Sequence, residues 1–131
     1  MAKKIARSRI VKYLDIAFSR YIRLKNADKT GYCTCVTCNR EYHYKNIQAG
    51  HFMSRKNYST RWDERNVYPQ CYGCNVMQQG KQYEFSLFLG KQVSEELLYL
   101  SKKIVKFSDI ELTEMKKYYE NLVQVLEKSY V

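Results

Sequence analysis

The sequence predicts a mostly helical α+β fold in which helices at both ends enclose an irregular middle. Three observations predict it. Residues 3–26 and 108–128 repeat apolar side chains at a helical period, residues 32–74 do not, and all five cysteines fall inside that middle. The chain of 131 residues matches one ordinary domain. We expect it to run unbroken over 1–131, as a basic helix (1–31), a cysteine-bearing core (32–90) and C-terminal helices (91–131).

From about Lys3 to Asn26, Ile10, Leu14, Ala17, Tyr21 and Leu24 form one apolar stripe, widened by Val11, Phe18 and Ile22. Arg9, Lys12, Arg20 and Arg23 fall on the opposite face, so one helix is expected to offer a core side and a cationic side. Asp28-Lys-Thr-Gly31 supplies turn chemistry at its end. The middle contains short β-type runs such as Asn46–Met53 and Arg65–Tyr68. Helix is expected to resume near Cys74 and stop at Gly80, a good residue for the position after a helix. A further segment, Gln82–Leu89, sets Phe85, Phe88 and Leu89 on one face before Gly90 breaks it. Ser94 is the expected N-cap of a helix running to about Ile104. Ser108-Asp-Ile-Glu111 reads as a capping box opening a last helix to about Lys128, with Leu112, Met115, Tyr119, Leu122 and Leu126 on one side.

Composition narrows the function. With 45% hydrophobic and 15% aromatic residues the chain has apolar surface to bury, which excludes a disordered segment. No apolar run approaches the roughly 18 residues of a membrane helix. The start, Met1-Ala2-Lys3-Lys4, leads into arginines rather than an apolar signal core, so we expect a cytoplasmic protein. The formal net charge is +10. Residues 1–32 hold nine basic and two acidic side chains, residues 33–82 seven and three, and residues 83–131 seven and eight. A field concentrated in the first two thirds suits a polyanion, most simply nucleic acid.

The cysteines carry the clearest signal. Cys35/Cys38 and Cys71/Cys74 are two C-x-x-C pairs separated by 32 residues. Each such turn aims two thiolates at one point, and two turns supply the tetrahedral thiolate shell that Zn²⁺ favours. Asn39 follows the first pair where a residue tolerant of left-handed backbone is wanted, and Gly73 is expected to relax the second turn. Disulfides are the rival reading, disfavoured in a reducing compartment. Cys33, one residue from Cys35, is expected to be a free thiol. A four-thiolate zinc has no open coordination position, so it builds the fold and leaves chemistry to other residues.

Those residues lie between and just after the pairs. Gln48-Ala-Gly-His51-Phe-Met-Ser-Arg55 and Arg61-Trp-Asp-Glu-Arg65-Asn66 precede Cys71, and Asn75 follows Cys74. If a helix starts at Cys74, Asn75 and Gln79 stand on one face of its first turn, where free N–H groups favour phosphate and a side-chain oxygen can hold a hard divalent ion. His51, in a β-type segment folded against that helix, can take a proton from water near neutral pH. Arg55 and Arg61 are the expected phosphate-binding groups. Asp63 and Glu64 are expected to pair with Arg61 or Arg65.

Over residues 33–90 this string resembles the His-Asn-His (HNH, or ββα-metal) endonucleases, and within them the phage NinG (Rap) recombination nucleases; the cysteine arrangement also resembles phage endonuclease VII resolvases. The resemblance implies a treble-clef zinc core with an inserted ββα-metal hairpin and helix, flanked by an N-terminal helix and C-terminal helices. It implies His51 as general base, Asn75 as ligand of a catalytic Mg²⁺ or Mn²⁺, Asn66 as the residue that holds the hairpin loop and aims His51, and Cys35, Cys38, Cys71 and Cys74 as zinc ligands. One departure stands out: many such enzymes carry Asp immediately before the catalytic His, and this chain has Gly50. Gln48, His43 or Gln79 would then help Asn75 hold the metal. The function implied is Mg²⁺-dependent cleavage of DNA, on branched recombination intermediates such as Holliday junctions, D-loops or flaps. The implied assembly is a homodimer acting among recombination proteins. The alternative is a zinc-stabilised DNA-binding module without catalysis.

Overall fold

The computed structural model describes residues 5–130. The expected helix start at Lys3 and the reading of Met1–Lys4 lie outside the described residues. In chain order the elements are α1 (Arg7–Lys25), β1 (Tyr32–Thr34), β2 (Glu41–His43), β3 (Gln48–His51), α2 (Tyr58–Arg61), β4 (Val67–Gln70), α3 (Gln82–Leu89), α4 (Lys91–Ser101) and α5 (Asp109–Glu127). The fold is mostly helical α+β, with two separate two-stranded sheets. β1 pairs antiparallel with β2, and β3 with β4 in the register Gln48↔Gln70 to His51↔Val67. Among the described residues, no helix is long and apolar enough to cross a membrane.

α1 forms because its apolar residues fall on one side, and seven of them are buried: Ile10, Val11, Leu14, Ala17, Phe18, Ile22 and Leu24. The Asn26 side-chain amide donates to the Ile22 carbonyl at 2.8 Å and closes the last turn. The Asp28 carboxylate then accepts from the Thr30 and Tyr32 N–H groups, folding the chain back into β1. α5 starts on a complete capping box: Ser108 Oγ accepts from the Glu111 N–H at 3.1 Å, and Glu111 accepts from the Ser108 N–H at 3.0 Å. It packs along α1, where Leu112 and Tyr119 are buried and the Phe18 and Tyr119 rings meet edge to face at 4.9 Å. Trp62 and Val67 complete this core from the middle of the chain. A second cluster gathers the cysteines with Leu24, Tyr44, Ile47 and Val123, and a third joins Phe52, Phe85 and Leu97.

Two expected helices are corrected, and with them the expected role of Gly73. The helix assigned to begin at Ser94 starts at Lys91, because Gly90, at φ +88°, both ends α3 and opens α4; Ser94 instead lies one turn in, its hydroxyl donating to the Ser86 carbonyl. That helix stops at Ser101, short of Ile104. The helix expected from Cys74 to Gly80 is a five-residue π turn, Gly73–Met77, with the Gln78 N–H reaching the Gly73 carbonyl at 2.9 Å. Gly73 is outside the left-handed region, whereas Asn39 does adopt it at φ +64°.

Leu14 is fully buried and Ile16, on the same helix, is 51% exposed. Leu14→Ala should therefore cost about 3 kcal/mol of unfolding free energy in urea, and Ile16→Ala no more than about 0.5 kcal/mol.

Candidate metal centre and polar cleft

The β1–β2 hairpin carries Cys35 and Cys38 in its turn, and β4 runs directly into Cys71 and the π turn that holds Cys74. The Val36 N–H donates to the Pro69 carbonyl at 3.1 Å, so the first turn is tied to β4 by backbone. The four sulfur atoms all lie within 4.8 Å of one another, and Cys38 and Cys71 Sγ are 3.8 Å apart. A tetrahedral zinc with Zn–S bonds of about 2.3 Å needs sulfur–sulfur edges of about 3.8 Å. The donor set thus fits one zinc ion.

Burial opposes ionisation of Cys35, but N–H groups from Cys71, Thr37 and Cys38 and the Thr37 hydroxyl outweigh it, bringing Cys35 down to about 6. Its sulfur takes the Cys71 N–H at 3.3 Å and lies 3.5 Å from Thr37 Oγ1. Thr37 in turn accepts from Gln70 Nε2 at 3.1 Å, so an outer layer of hydrogen bonds braces the thiolates. Cys33 stands apart. Burial pushes it up to about 11, and it donates to the Arg23 carbonyl at 3.1 Å.

Beside this centre is a cleft of about 630 Å³ between α1, the β3–β4 hairpin and the π turn. Its walls bring together His51, Arg55 and Asn75 from the sequence-predicted set, Gln48, and Asp15, Ser19 and Arg23 from α1. The His51 ring contacts the Arg61 carbonyl through Nε2 at 2.9 Å. A carbonyl only accepts, so Nε2 carries the proton and Nδ1 keeps its lone pair. Burial, aided by the charges of Arg55 and Arg61, lowers His51 to about 4, which leaves the imidazole neutral at pH 7.

Asn66 is fully buried behind the cleft. Its carbonyl oxygen accepts from the Met53 N–H at 2.7 Å, and its amide donates to the Met53 and Thr60 carbonyls at 3.1 and 3.0 Å. The loop that follows His51 is thereby pinned at both ends. Asn75 Nδ2 donates to Gln48 Oε1 at 2.8 Å, which leaves the Asn75 side-chain oxygen without a partner among the described residues.

Several expected roles are corrected. Arg61 is not a free phosphate-binding group: Nε and Nη2 engage both oxygens of Asp15, at 3.2 and 2.5 Å, and Nη1 donates to the Arg55 carbonyl. With 15% and 21% side-chain exposure, that pair is largely withdrawn from solvent, and Trp62 Nε1 adds a third bond to Asp15 at 3.0 Å. Gln79 is exposed and left-handed at φ +55°, past the end of the π turn, and is not part of the cleft. His43 sits on β2, its Nδ1 accepting from the Lys45 N–H, with its ring against Tyr44. The Asn75 N–H is bonded to the Cys71 carbonyl at 2.8 Å, so it is not a free anion donor. Asp63 does pair with Arg65, but Glu64 takes Lys25 and the Tyr21 hydroxyl. Arg20, assigned to an open cationic face, is paired with Glu127.

Gly50 has a steric explanation. A Cβ there would fall 2.1 Å from Gln70 Oε1 and 2.8 Å from Gln70 Cβ. Gln70 is fully buried, anchored to Thr37 and to the Gly80 carbonyl at 2.8 Å. An acidic side chain at position 50 would have to displace it. Asp15 and Arg23 were missed by the sequence reading as cleft residues. Their signal was present: Asp15, Ser19 and Arg23 recur every four residues, a polar stripe beside the apolar one.

The fold and the cysteine centre define a basic α+β protein with a site for one metal ion. A family model described as the Bacteriophage Lambda NinG protein matches residues 2–129, and the chain belongs to that family. No curated protein and no solved structure matches the chain.

Purified protein should bind one Zn²⁺ per chain. Cys33→Ser should keep it, and Cys35→Ser should lose both the metal and cooperative unfolding, as read by a chromogenic chelator and circular dichroism. Asn66→Ala, which leaves the Met53 N–H and carbonyl without their side-chain partner and takes one of the donors from the Thr60 carbonyl, should destabilise the protein by about 3 kcal/mol in urea.

Proposed function

We propose that this protein is a Mg²⁺- or Mn²⁺-dependent endonuclease of the HNH type, acting on branched DNA recombination intermediates, with a zinc-stabilised treble-clef core. One observation carries the reading: His51, neutral and with Nδ1 unengaged, lines the same cleft as the unengaged side-chain oxygen of Asn75. A general base and a hard oxygen donor lining one cleft are what metal-assisted hydrolysis of a phosphodiester calls for.

The donor set fits a small divalent ion that keeps most of its waters: Asn75 would supply the protein oxygen, and Gln48 orients it. When bound, such an ion supplies positive charge to the scissile phosphate and to the departing oxygen. His51 Nδ1 takes a proton from water as its oxygen attacks phosphorus. The P–O3′ bond breaks, the O3′ takes a proton from solvent, and a 5′-phosphate is left. The Arg61 carbonyl holds the imidazole in the required tautomer, and the Asp15 carboxylate fixes the Arg61 side chain. Arg55 is exposed, and its guanidinium has no partner among the described residues, which leaves it able to share phosphate charge. Membership of the NinG family and the +10 charge support DNA as substrate. Action as a homodimer, with other recombination proteins, completes the proposal.

The test is incubation with supercoiled plasmid and synthetic four-way junctions, with Mg²⁺ or Mn²⁺. Wild type should cut and His51→Ala should lose at least about a hundredfold in rate. Equal cutting by the two, or none by either, defeats the reading, and no cutting with tight binding would favour a non-catalytic DNA-binding module. Because the folded His51 titrates near 4, below an ordinary imidazole at 6.5, its base form persists as pH falls. Cleavage should therefore stay level from pH 8 to 5.5, where an unperturbed histidine would lose about tenfold.

A further inference from the structure

Arg23 was expected on the outer, cationic face of its helix, yet it is half-buried and lines the cleft. Its Nε donates to the Ser19 carbonyl at 3.2 Å and its Nη1 to the Tyr44 carbonyl at 2.8 Å. A guanidinium has five N–H bonds, so three remain unused. No carboxylate pairs with it among the described residues, in contrast to Arg7, Arg20, Arg61 and Arg65. Its position is fixed a second time through the backbone, where its own carbonyl accepts from Cys33 Sγ at 3.1 Å. Burial and the neighbouring Arg20 both disfavour its charge. A partly desolvated cation without a counter-ion is costly, and an anion entering the cleft would relieve that cost. The other cation of the cleft, Arg55, is exposed and unanchored, and Arg61 is neutralised by Asp15.

We propose that Arg23 is the fixed phosphate receptor of the cleft, binding a non-bridging oxygen of a nucleic-acid strand beside His51 and Asn75. The site rests on the reading of the cleft as a nucleic-acid site, but it requires no catalysis. Two carbonyls hold the guanidinium in place before the strand arrives, so little side-chain entropy is lost on binding. It therefore sets where the strand lies along the cleft, while Arg55 can only follow.

The test needs no cleavage and no added divalent ion. The side-chain Nε–H signal of Arg23 in wild-type protein is followed by NMR, first with a short DNA duplex and then with inorganic phosphate. DNA affinity is measured alongside by fluorescence anisotropy across a salt series for wild type, Arg23→Lys and Arg23→Gln. The Arg23 signal should shift on DNA binding. Arg23→Gln should bind roughly tenfold more weakly, with a salt slope smaller by about one, and Arg23→Lys should recover part of the loss. A DNA complex that leaves the signal unmoved overturns the proposal, as does Arg23→Gln binding at wild-type strength. A shift with inorganic phosphate but none with DNA also overturns it, since the site then serves a free anion. Because the wild-type signal is read directly, a misfolded variant does not decide the matter. If Arg23 responds while no substrate is ever cut, the receptor stands and the nuclease reading falls.

Discussion

The convergence of four thiols is the constraint on which the rest of the molecule depends. Strands of three and four residues, in two separate two-stranded sheets, cannot hold themselves together in water. Cys35 and Cys38 hang from one hairpin, while Cys71 and Cys74 follow the last strand of the other. Bringing their sulfur atoms within 4.8 Å fixes the two sheets relative to each other. The same junction sets the π turn, and with it Asn75, against Gln48 on β3. Gln70 extends the bracing outward, because its amide joins Thr37, next to the thiolates, to the Gly80 carbonyl beyond the π turn.

α1 serves two surfaces at once. Its apolar side builds the core against α5, and the adjoining stripe of Asp15, Ser19 and Arg23 makes one wall of the cleft. Asp15 also organises the opposite wall: it holds Arg61 and Trp62, and the Arg61 carbonyl holds His51. The basic N-terminal helix is thus part of the cleft rather than an appended tail. This explains why charge on this helix divides into exposed groups, such as Arg9 and Lys12, and groups fixed by partners.

Much of this was legible in the sequence where the signal is local. Helical periodicity located α1 and α5, the Ser108–Glu111 pair marked the start of α5, and C-x-x-C spacing picked out the four clustered cysteines and left Cys33 aside. What escaped depends on contacts distant in the chain. Nothing in the neighbourhood of Arg61 announces that Asp15, 46 residues away, will neutralise it. Nothing around Gly50 announces that the side chain of Gln70 fills the space an acid would need. Gly90 overrode Ser94 as the start of α4 because backbone at φ +88° interrupts a helix more firmly than one hydroxyl begins it. The replacement of a regular helix by a π turn after Cys71 had no sequence signal of its own, and it is what removed Gln79 from the cleft.

The proposal that His51 and the Asn75 oxygen flank one divalent ion is tested most directly by paramagnetic broadening. The chain has only two histidines, and His43 stands outside the cleft, a built-in control. On titration of the zinc-loaded protein with Mn²⁺, the Asn75 side-chain amide and the His51 ring signals should broaden together, while His43 stays sharp. Broadening of His43 alone, or Asn75 and His51 signals that remain sharp at saturating Mn²⁺, would contradict the account.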